Sequence, residues 1–451
     1  MNKNNKYEID MVNGPLFSKL IIFAIPLALS GMLQLLFNAV DIIVVGRFAG
    51  SDSLAAVGAT TSLINVCITL FVGISMGVNV LAGGAFATKD EDYMQEIVHT
   101  AYGTALLLGI MMVFVGNGIT RPALMLMKTP ADIISKSELY MRIYFLGMPF
   151  LMTYNFGSAV LRAIGDTKRP MYYLIVAGIC NVFLNLILVI VFHLGVIGVA
   201  AGTVLSQFVS SILTARCLMK AEGSYHFDVR KIRINGSIFG HILRIGLPAG
   251  LQSMLVNVSN ALIQSSINSF GTVAIAGNTA ANNLNGFLYM ACNSITQTGL
   301  SFASQNAGVK NYKRIDKILG ACVVLEIVLE TSLGVLCYTF AHQILGIYSA
   351  DPKVIAVGII NVSIICVPYA LCGIMDMVPG VTRGMGYSIQ PMIIHIIGVV
   401  GFRFFWIFLI FTHVHTLESL YISYPISWII TASAQLVCYY ILRRKIESVM
   451  A

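Results

Sequence analysis

The sequence is poor in charge. Of its 451 residues only 11% are Asp, Glu, Lys or Arg, whereas 57% are hydrophobic. A soluble domain carries roughly 25% charged residues, and no soluble core could bury so much apolar surface. The low charge therefore excludes a soluble enzyme or binding domain and indicates a polytopic membrane protein.

Motifs that mark pumps and metal enzymes are also missing. No GxxxxGK[ST] loop occurs, which excludes an ATP-driven pump of the P-loop type, and no HExxH sequence occurs. The nine cysteines form no CxxC pair and lie mostly in apolar runs, so they predict small core residues rather than metal ligands or disulfides. We expect no enzyme activity, no cofactor and no transition-metal centre.

Apolar segments recur along the whole chain. They predict twelve transmembrane helices, near residues 16–47, 54–85, 97–119, 139–161, 171–192, 196–219, 240–269, 273–304, 318–341, 355–381, 389–411 and 419–442. With the N-terminus inside, most of the 28 Lys and Arg residues fall on the cytoplasmic side. Topology thus explains the net charge of +8 without nucleic-acid binding, and we expect a multi-pass protein of a bacterial cell membrane with both termini in the cytoplasm.

The two halves of the sequence resemble each other. Pro26 and Asn38 in the first half match Pro248 and Asn260 in the second half at the same spacing. Because each half holds six predicted helices, an even number, the two repeats keep the same orientation in the membrane. Parallel repeats of this kind occur in secondary transporters, where an axis along the membrane normal relates the halves.

The predicted fold is therefore an all-α membrane protein of two six-helix lobes related by a pseudo-two-fold axis. The N-lobe covers residues 1–220, a basic cytoplasmic connection covers 221–239, and the C-lobe covers 240–451.

The first predicted helix contains an acid inside its apolar run. Gln34, Asn38 and Asp41 share one helix face because they lie four and three residues apart. The run IIVV follows Asp41, which places the carboxyl within the span. Charged groups at such depth usually face a bundle interior or a wet cavity and mark an ion pathway. The alternative is an acid at the headgroup level.

Helix depth brings further polar residues to the level of Asp41. At about 1.5 Å per residue, Asp41 lies roughly 7 Å, Asn185 roughly 12 Å and Thr203 about 9 Å from the outer ends of their helices. Asn181 and Asn185 present one face because they are four residues apart. Oxygen ligands of this kind suit a proton or a hard monovalent cation such as Na⁺. Alternatively, the asparagines only hydrogen-bond neighbouring helices.

The second half lacks this set of residues, since Ile263 stands at the counterpart of Asp41. It carries one acid on helix 10, Asp376, and one base on helix 11, Arg403. This polar pair is interpreted either as a structural lock or as a second coupling site.

A polar stripe on helices 7 and 8 is a candidate substrate surface. Neutral polar groups with aromatic neighbours suit large organic cations, although interhelical packing explains such residues equally well. On helix 7 the stripe consists of Gln252, Asn257 and Gln264, and on helix 8 of Asn278, Asn282, Asn285, Tyr289, Asn293 and Thr296.

These features resemble the multidrug and toxic compound extrusion (MATE) family. Many moderate matches carry the resemblance, from the opening NGPLFSKLIIFAIPLALSGMLQ to the last helix. It implies two six-helix lobes in a V and alternating access. It also implies export of small amphipathic, often cationic compounds against inward flow of H⁺ or Na⁺. The protein is expected to act as a monomer in contact with membrane lipid.

The resemblance also implies a cation site in the N-lobe. Such a site uses an acid on helix 1, polar residues on helices 4 and 5 and a hydroxyl on helix 6, and the matching positions are Asp41, Asn155, Asn181, Asn185 and Thr203. Asn185 departs from the pattern because many members have a second acid there. Val256 also departs, since sodium-coupled members often have Glu. The coupling ion therefore stays open between H⁺ and Na⁺.

A flippase for lipid-linked oligosaccharide has a similar layout and is the alternative function. Such a flippase is expected to line its cavity with several cations that bind the pyrophosphate. The predicted core holds a single one, Arg403, and Asp41 is an acid, so the sequence favours cationic cargo.

Overall fold

The computed structural model describes residues 7–127 and 129–450, and every regular element in them is a helix. Residues 1–6 and 451, whose cytoplasmic location the sequence predicts, lie outside the described residues. Twelve long helical segments confirm the predicted number: α1 (Leu16–Ala49), α2 (Ser51–Thr88), α3 (Glu91–Leu126), α4 (Ile134–Leu146 and Met148–Ala163), α5 (Lys168–Val191), α6 (Gly195–Met219), α7 (Gly236–Asn268), α8 (Thr272–Gly308), α9 (Tyr312–Thr339), α10 (Pro352–Cys366 and Tyr369–Gly384), α11 (Ile389–Phe411) and α12 (Leu417–Met450). A short helix, Ala341–Tyr348, joins α9 to α10.

Most of these helices are long and apolar enough to cross a membrane. Eight of them meet this condition in the described part of the chain, and α10 is a ninth when its two pieces, bent by 45°, count as one span. The remaining three, α4, α7 and α8, carry more polar side chains within their length. Buried polar residues of this kind need partners inside the bundle.

Residue contacts divide the chain into two compact units. Unit 1 comprises the described residues up to Asp10 together with Leu29–Gly250, and unit 2 comprises Met11–Ala28 together with the described residues from Leu251 onwards. These bounds differ from the lobe ranges expected from the sequence. The first half of α1 belongs to unit 2, and the first half of α7 belongs to unit 1.

Glycines fix the first half of α7 within unit 1. Gly73 and Gly77 on α2 face Gly246 and Gly250 on α7, and a Cβ atom at any of the four would meet backbone of the opposite helix. Small residues four apart on both helices let the two backbones approach closely. The packing of α7 onto α2 therefore depends on these side chains being absent.

Aromatic and carbonyl contacts hold the first half of α1 within unit 2. The ring of Phe23 meets the ring of Phe302 on α8 edge-on, with 5.6 Å between centroids. Just before the helix, the carbonyl of Met11 accepts a hydrogen bond of 3.1 Å from Asn306 Nδ2. Pro26 lies inside α1, close to the point where the chain passes from unit 2 to unit 1. Proline removes one backbone hydrogen bond, so this is where the helix bends most easily.

Candidate functional site

A hydrogen bond joins the acid of α1 to an amide of α5 in unit 1. Asn185 Nδ2 donates to Asp41 Oδ1 over 2.5 Å, and the same nitrogen lies 3.4 Å from Asn181 Oδ1. Both asparagines are buried, whereas Asp41 is half-buried. A donor at this distance supports the ionised form of the carboxylate. The structure therefore brings together three of the residues that the sequence assigns to a cation site.

Two glycines make room for this contact. A Cβ at Gly178 on α5 would overlap the ring of Phe37, which lies one turn before Asp41 on α1. A Cβ at Gly202 on α6 would overlap Oδ1 of Asn185. Each glycine thus receives a side chain from the neighbouring helix. Together they set the spacing of α1, α5 and α6 around the Asp41 carboxyl.

Both helices that carry the contact change their winding just beyond it. Residues Val45–Ala49 of α1 and Ile187–Val191 of α5 form π-helical turns, which begin four residues after Asp41 and two after Asn185. Such turns often occur at functional sites, because they redirect backbone carbonyls and side chains within a helix.

Other residues assigned to this site by the sequence point elsewhere. Thr203 donates its hydroxyl to Val199 O over 3.0 Å, and Asn155 donates its amide to Leu151 O over 2.9 Å, both within their own helices. Gln34 and Asn38 are exposed. Polar side chains in helices often bond the carbonyl four residues back, and that competition removes Thr203 and Asn155 from direct contact with Asp41.

Two tyrosines of α4 lie near Asp41 and were not singled out by the sequence pattern. Tyr140 and Tyr144 both interact electrostatically with the Asp41 carboxyl. Gln207 Nε2 on α6 donates to the Tyr144 hydroxyl over 3.4 Å, while Gln207 Oε1 is buried without a partner in the described residues. The spacing of four between the tyrosines was the available signal, since it places both rings on one face of a helix.

The predicted polar pair of unit 2 does not form a direct ion pair within the described chain. Arg403 Nη1 donates to Asn260 Oδ1 over 2.8 Å, and its guanidinium lies over the ring of Tyr424 at 4.1 Å. Asp376 instead has His395 Nδ1 at 3.8 Å from its Oδ1. The two charges interact only at longer range, because each already has another neighbour.

A second guanidinium is buried in unit 2. Arg383, at the end of α10, is only 4% exposed and donates to Gln252 on α7. The expectation that Arg403 is the single buried cation of this region is therefore wrong. The sequence alone did not show this burial, which comes from packing against α7.

Part of the polar stripe on α7 and α8 forms an interhelical network. Asn278 donates to Gln264 Oε1 over 2.8 Å and accepts from Asn361 of α10 over 2.9 Å. Asn285 donates to Asn361 Oδ1 over 3.2 Å. Asn282 and Tyr289 are exposed. The amides of Gln264, Asn278 and Asn285 thus bond α7, α8 and α10 to one another, as the packing alternative predicts.

A model of the MatE family matches residues 26–187 and 248–409, two stretches of equal length that begin at Pro26 and Pro248. The chain belongs to the MatE family. The double match also confirms the internal repeat, because the same model fits both halves. As a MatE protein the chain is a membrane transporter and not an enzyme.

Curated relatives of this MatE chain match it over most of its length. It is 29% identical to "Probable multidrug resistance protein YoeA" of Bacillus subtilis, over 91% of this chain and 90% of that protein. It is 24% identical to "Probable multidrug resistance protein NorM" of Thermotoga maritima, over 84% and 82%. A "FAD transporter" of Shewanella oneidensis is 22% identical over 98% of this chain and 97% of its own length.

Solved structures of MATE transporters share the fold. A MATE crystal structure in complex with MaL6 superposes with a TM-score of 0.90 at 20% identity, over 97% of this chain and 98% of the other. The Vibrio cholerae transporter VcmN superposes with a TM-score of 0.88 at 19% identity, over 95% and 97%. The two-lobe, twelve-helix layout expected from the sequence is thus the fold of this MatE chain.

One stretch has the spacing of a hydrolase nucleophile elbow. Residues 73–77 read Gly-Ile-Ser-Met-Gly, but they lie in the middle of α2 rather than at a turn between strand and helix. Ser75 is buried and donates to Val72 O over 2.7 Å. The two glycines pack against α7 instead of shaping a turn.

The sequence pattern missed two acids of the MatE chain. Glu326 and Glu330 on α9 are fully buried, so Asp376 is not the single acid within the spans of unit 2. Their spacing of four within the apolar run ACVVLEIVLETSLGV was the available signal, since it places both carboxyls on one helix face.

Proposed function

We propose that this protein exports small amphipathic organic cations, drugs and toxins among them, in exchange for H⁺ or Na⁺, with Asp41 as the coupling carboxyl. The hydrogen bond from Asn185 to Asp41 carries the proposal. It holds an acid of the apolar helix α1 against α5. An ionisable group within a membrane span is energetically costly, and such residues are usually functional. Several relatives are named as multidrug resistance or export proteins, which supports drug export.

The chemistry of the site suits an exchange of cations. Asp41 supplies one negative charge, which either a coupling ion or a cationic cargo can neutralise. If the two cannot be bound at once, each drives release of the other, which is the thermodynamic basis of antiport. The two lobes would then expose the site alternately to the two sides of the membrane.

The donor set fits either coupling ion. A proton needs the carboxylate of Asp41 alone, whereas Na⁺ needs several hard oxygen ligands. Oδ1 of Asn185 is buried without a partner in the described residues, and Oδ1 of Asn181 is the second amide oxygen nearby. These two amides would complete a shell for Na⁺ around an ionised Asp41. We propose no other metal and no cofactor.

The membrane potential supplies energy for export when more positive charge enters than leaves. A unit charge crossing about 150 mV releases roughly 3.5 kcal/mol. A net inward charge of one per cargo molecule sustains a cargo gradient of a few hundredfold, so a singly charged cargo needs two inward ions; with one ion, only the concentration gradient of that ion drives its export.

Ethidium efflux from membrane vesicles tests the function. Proton and sodium gradients are imposed separately, and the loss of ethidium fluorescence is followed over time. We expect uphill transport with at least one of the two gradients. Transport that responds to neither gradient would contradict antiport.

An anionic cargo is the second candidate. Arg383 and Arg403 are both buried in unit 2 with Nε atoms that lack a partner in the described residues, and a relative carries the name FAD transporter. A lipid-linked oligosaccharide flippase would use such cations for its pyrophosphate. Uptake of FAD or of a pyrophosphate lipid by the same vesicles, with no ethidium transport, would favour this class.

We also propose that the protein acts as a monomer in the bacterial cell membrane, in contact with lipid and with both termini in the cytoplasm. A reporter inserted near Gly223, between α6 and α7, or fused after Ala451 should be active only in its cytoplasmic form. The basic residues around both positions resist translocation. Periplasmic activity at either position would overturn this topology.

A further inference from the structure

α9 has an apolar exposed face and an acidic buried face. Val324, Ile327 and Val328 are exposed, as expected of side chains that face lipid. Glu326 and Glu330 point the opposite way and have no exposed surface. Two acids on consecutive turns of one helix, both turned inward, are uncommon because each ionised carboxylate in a membrane interior is costly.

Neither glutamate has a partner in the part of the chain that the structure describes. All four carboxyl oxygens are buried without a hydrogen bond, and none of the ion pairs among the described residues includes them. Two ionised carboxylates at this spacing would also repel each other. One proton on the pair removes the repulsion and the burial cost of one charge, and a second proton removes the remaining cost.

Two buried guanidinium groups of unit 2, those of Arg383 and Arg403, lie around Asp376 rather than around the glutamates. Asp376 interacts with the guanidinium groups of Arg383 and Arg403. The His395 side chain is 2% exposed. Its Nδ1 has no hydrogen-bond partner among the described residues and lies 3.8 Å from Asp376 Oδ1. Asp376 in turn interacts with Glu326. The two guanidinium groups thus offset the charge of Asp376, and in the described residues no guanidinium group acts on Glu326 or Glu330 in this way.

The surroundings of the pair favour a proton over a sodium ion. The other titratable groups that interact with the glutamates are mainly thiols, which are poor ligands for a hard cation. They are Cys322 and Cys337 on α9, Cys292 on α8, and Cys366, Tyr369, Cys372 and Asp376 on α10.

The pair lies beside the break in α10. A Cβ at Gly373, in the second piece of α10, would overlap Oε2 of Glu326, and a Cβ at Gly334, one turn beyond Glu330, would overlap the carbonyl of Cys366. Between these two contacts α10 bends by 45°. A change of charge on the glutamates thus acts directly on the helix that bends.

We propose that Glu326 and Glu330 form a second proton-binding site, which gains and loses a proton during the export cycle. The assignment of a role in export rests on the proposed antiport, whereas the binding of the proton does not. The site complements Asp41, and it belongs to the other unit of the chain.

Infrared spectroscopy of the purified full-length protein tests proton binding directly. In this experiment every protein carries Asp41→Asn, because a protonated Asp41 would give a band of the same kind. The C=O stretching band of a protonated carboxyl is recorded over a range of pH with no further change and with Glu326→Gln, Glu330→Gln or both. We expect a band in the parent Asp41→Asn protein that disappears at alkaline pH and is lost when both glutamates are replaced. Glu418→Gln, which changes an exposed acid at the start of α12, is the control and should keep the band. A band that survives in the double variant would overturn the site.

Proton release on addition of ethidium tests the role in export. If Asp41 and the pair each release one proton, the double variant should release about half as much as the wild type. Wild-type release from a folded double variant would overturn the role. If that variant does not fold, Glu330→Gln replaces it, and the same two outcomes decide.

Sodium distinguishes the ion bound by the pair. Adding Na⁺ in place of K⁺ at constant ionic strength should leave the infrared band of Asp41→Asn unchanged. Loss of the band on adding Na⁺ would overturn the proton assignment. A wild type that shows the pH-dependent band but transports no ethidium would contradict the proposed function and leave the proton site standing.

Discussion

The acids of the two units differ in what surrounds them. Asp41 in unit 1 is half-buried and receives a hydrogen bond from Asn185, whereas Glu326 and Glu330 in unit 2 are fully buried with no partner in the described residues. A donor stabilises the ionised carboxylate, and an apolar interior stabilises the neutral acid. The two sites therefore differ in which form of the carboxyl, ionised or neutral, their surroundings stabilise, although the helices around them come from a repeated sequence.

Equivalent positions of the two repeats also make different polar contacts. Asn38 on α1 and its counterpart Asn260 on α7 are both exposed, but Asn260 accepts a hydrogen bond from Arg403. Unit 2 uses this position to hold a buried guanidinium, whereas no described residue of unit 1 donates a guanidinium hydrogen bond to Asn38. Duplication thus preserved the helices while the polar contacts between them changed.

Removing the charge of Asp41 is expected to have the largest effect and tests the difference between the two sites most directly. Asp41→Asn should abolish uphill export, because the site loses the negative charge that couples ion entry to cargo exit. Ethidium efflux measures the effect. Asp52→Asn is the matched control, since it changes an exposed acid whose partners among the described residues are Lys136 and the neighbouring Ser51, and it should export normally. Wild-type export by Asp41→Asn would shift the coupling role to unit 2.

Removing the hydrogen-bond donor Asn185 should leave the Asp41 carboxyl without that partner, as the glutamates of unit 2 are. Asn185→Ala removes a charge-assisted hydrogen bond worth about 1.5–3 kcal/mol, which corresponds to roughly 10–100-fold in ion affinity. The dependence of export on proton or sodium concentration measures the shift. Asn155→Ala is the control, because that amide bonds only its own backbone, and an equal shift in both variants would contradict the assignment.

The packing of unit 1 can be disturbed without replacing a polar side chain. Gly202→Ala forces a Cβ against Asn185 and should lower the stability of the protein by about 1–3 kcal/mol. Thermal unfolding in detergent measures the loss. Gly58→Ala, which adds a Cβ in open space on α2, should leave the unfolding temperature unchanged or slightly raised. Equal unfolding temperatures for the two variants would mean that Gly202 does not position Asn185.

The smallest effect on stability and export is expected from a conservative change at Arg403. Arg403→Lys keeps the charge but loses the planar contact with Tyr424, which is worth about 0.5–2 kcal/mol. The unfolding temperature should fall slightly, while ethidium efflux per folded molecule should stay near that of the wild type. Lost efflux at normal stability would instead give Arg403 a role in transport.

The sequence alone determined the helices, the repeat and the polar face of α1. These properties are local. Each can be read within one continuous stretch of sequence: an apolar run of sufficient length, a proline, and the spacing of Asn38 and Asp41. They led to the family resemblance, and the twelve observed helices and the family match confirm it.

Only the tertiary structure decided which polar groups meet. Thr203 and Asn155 have a carbonyl of their own helix within reach, so their depth in the membrane did not determine their partners. Arg403 reaches Asn260 rather than Asp376, and Glu326 lies on the face of α9 that packing against α8 and α10 buries. A hydrogen bond between helices depends on side chains far apart in sequence, and that information does not exist within any single segment.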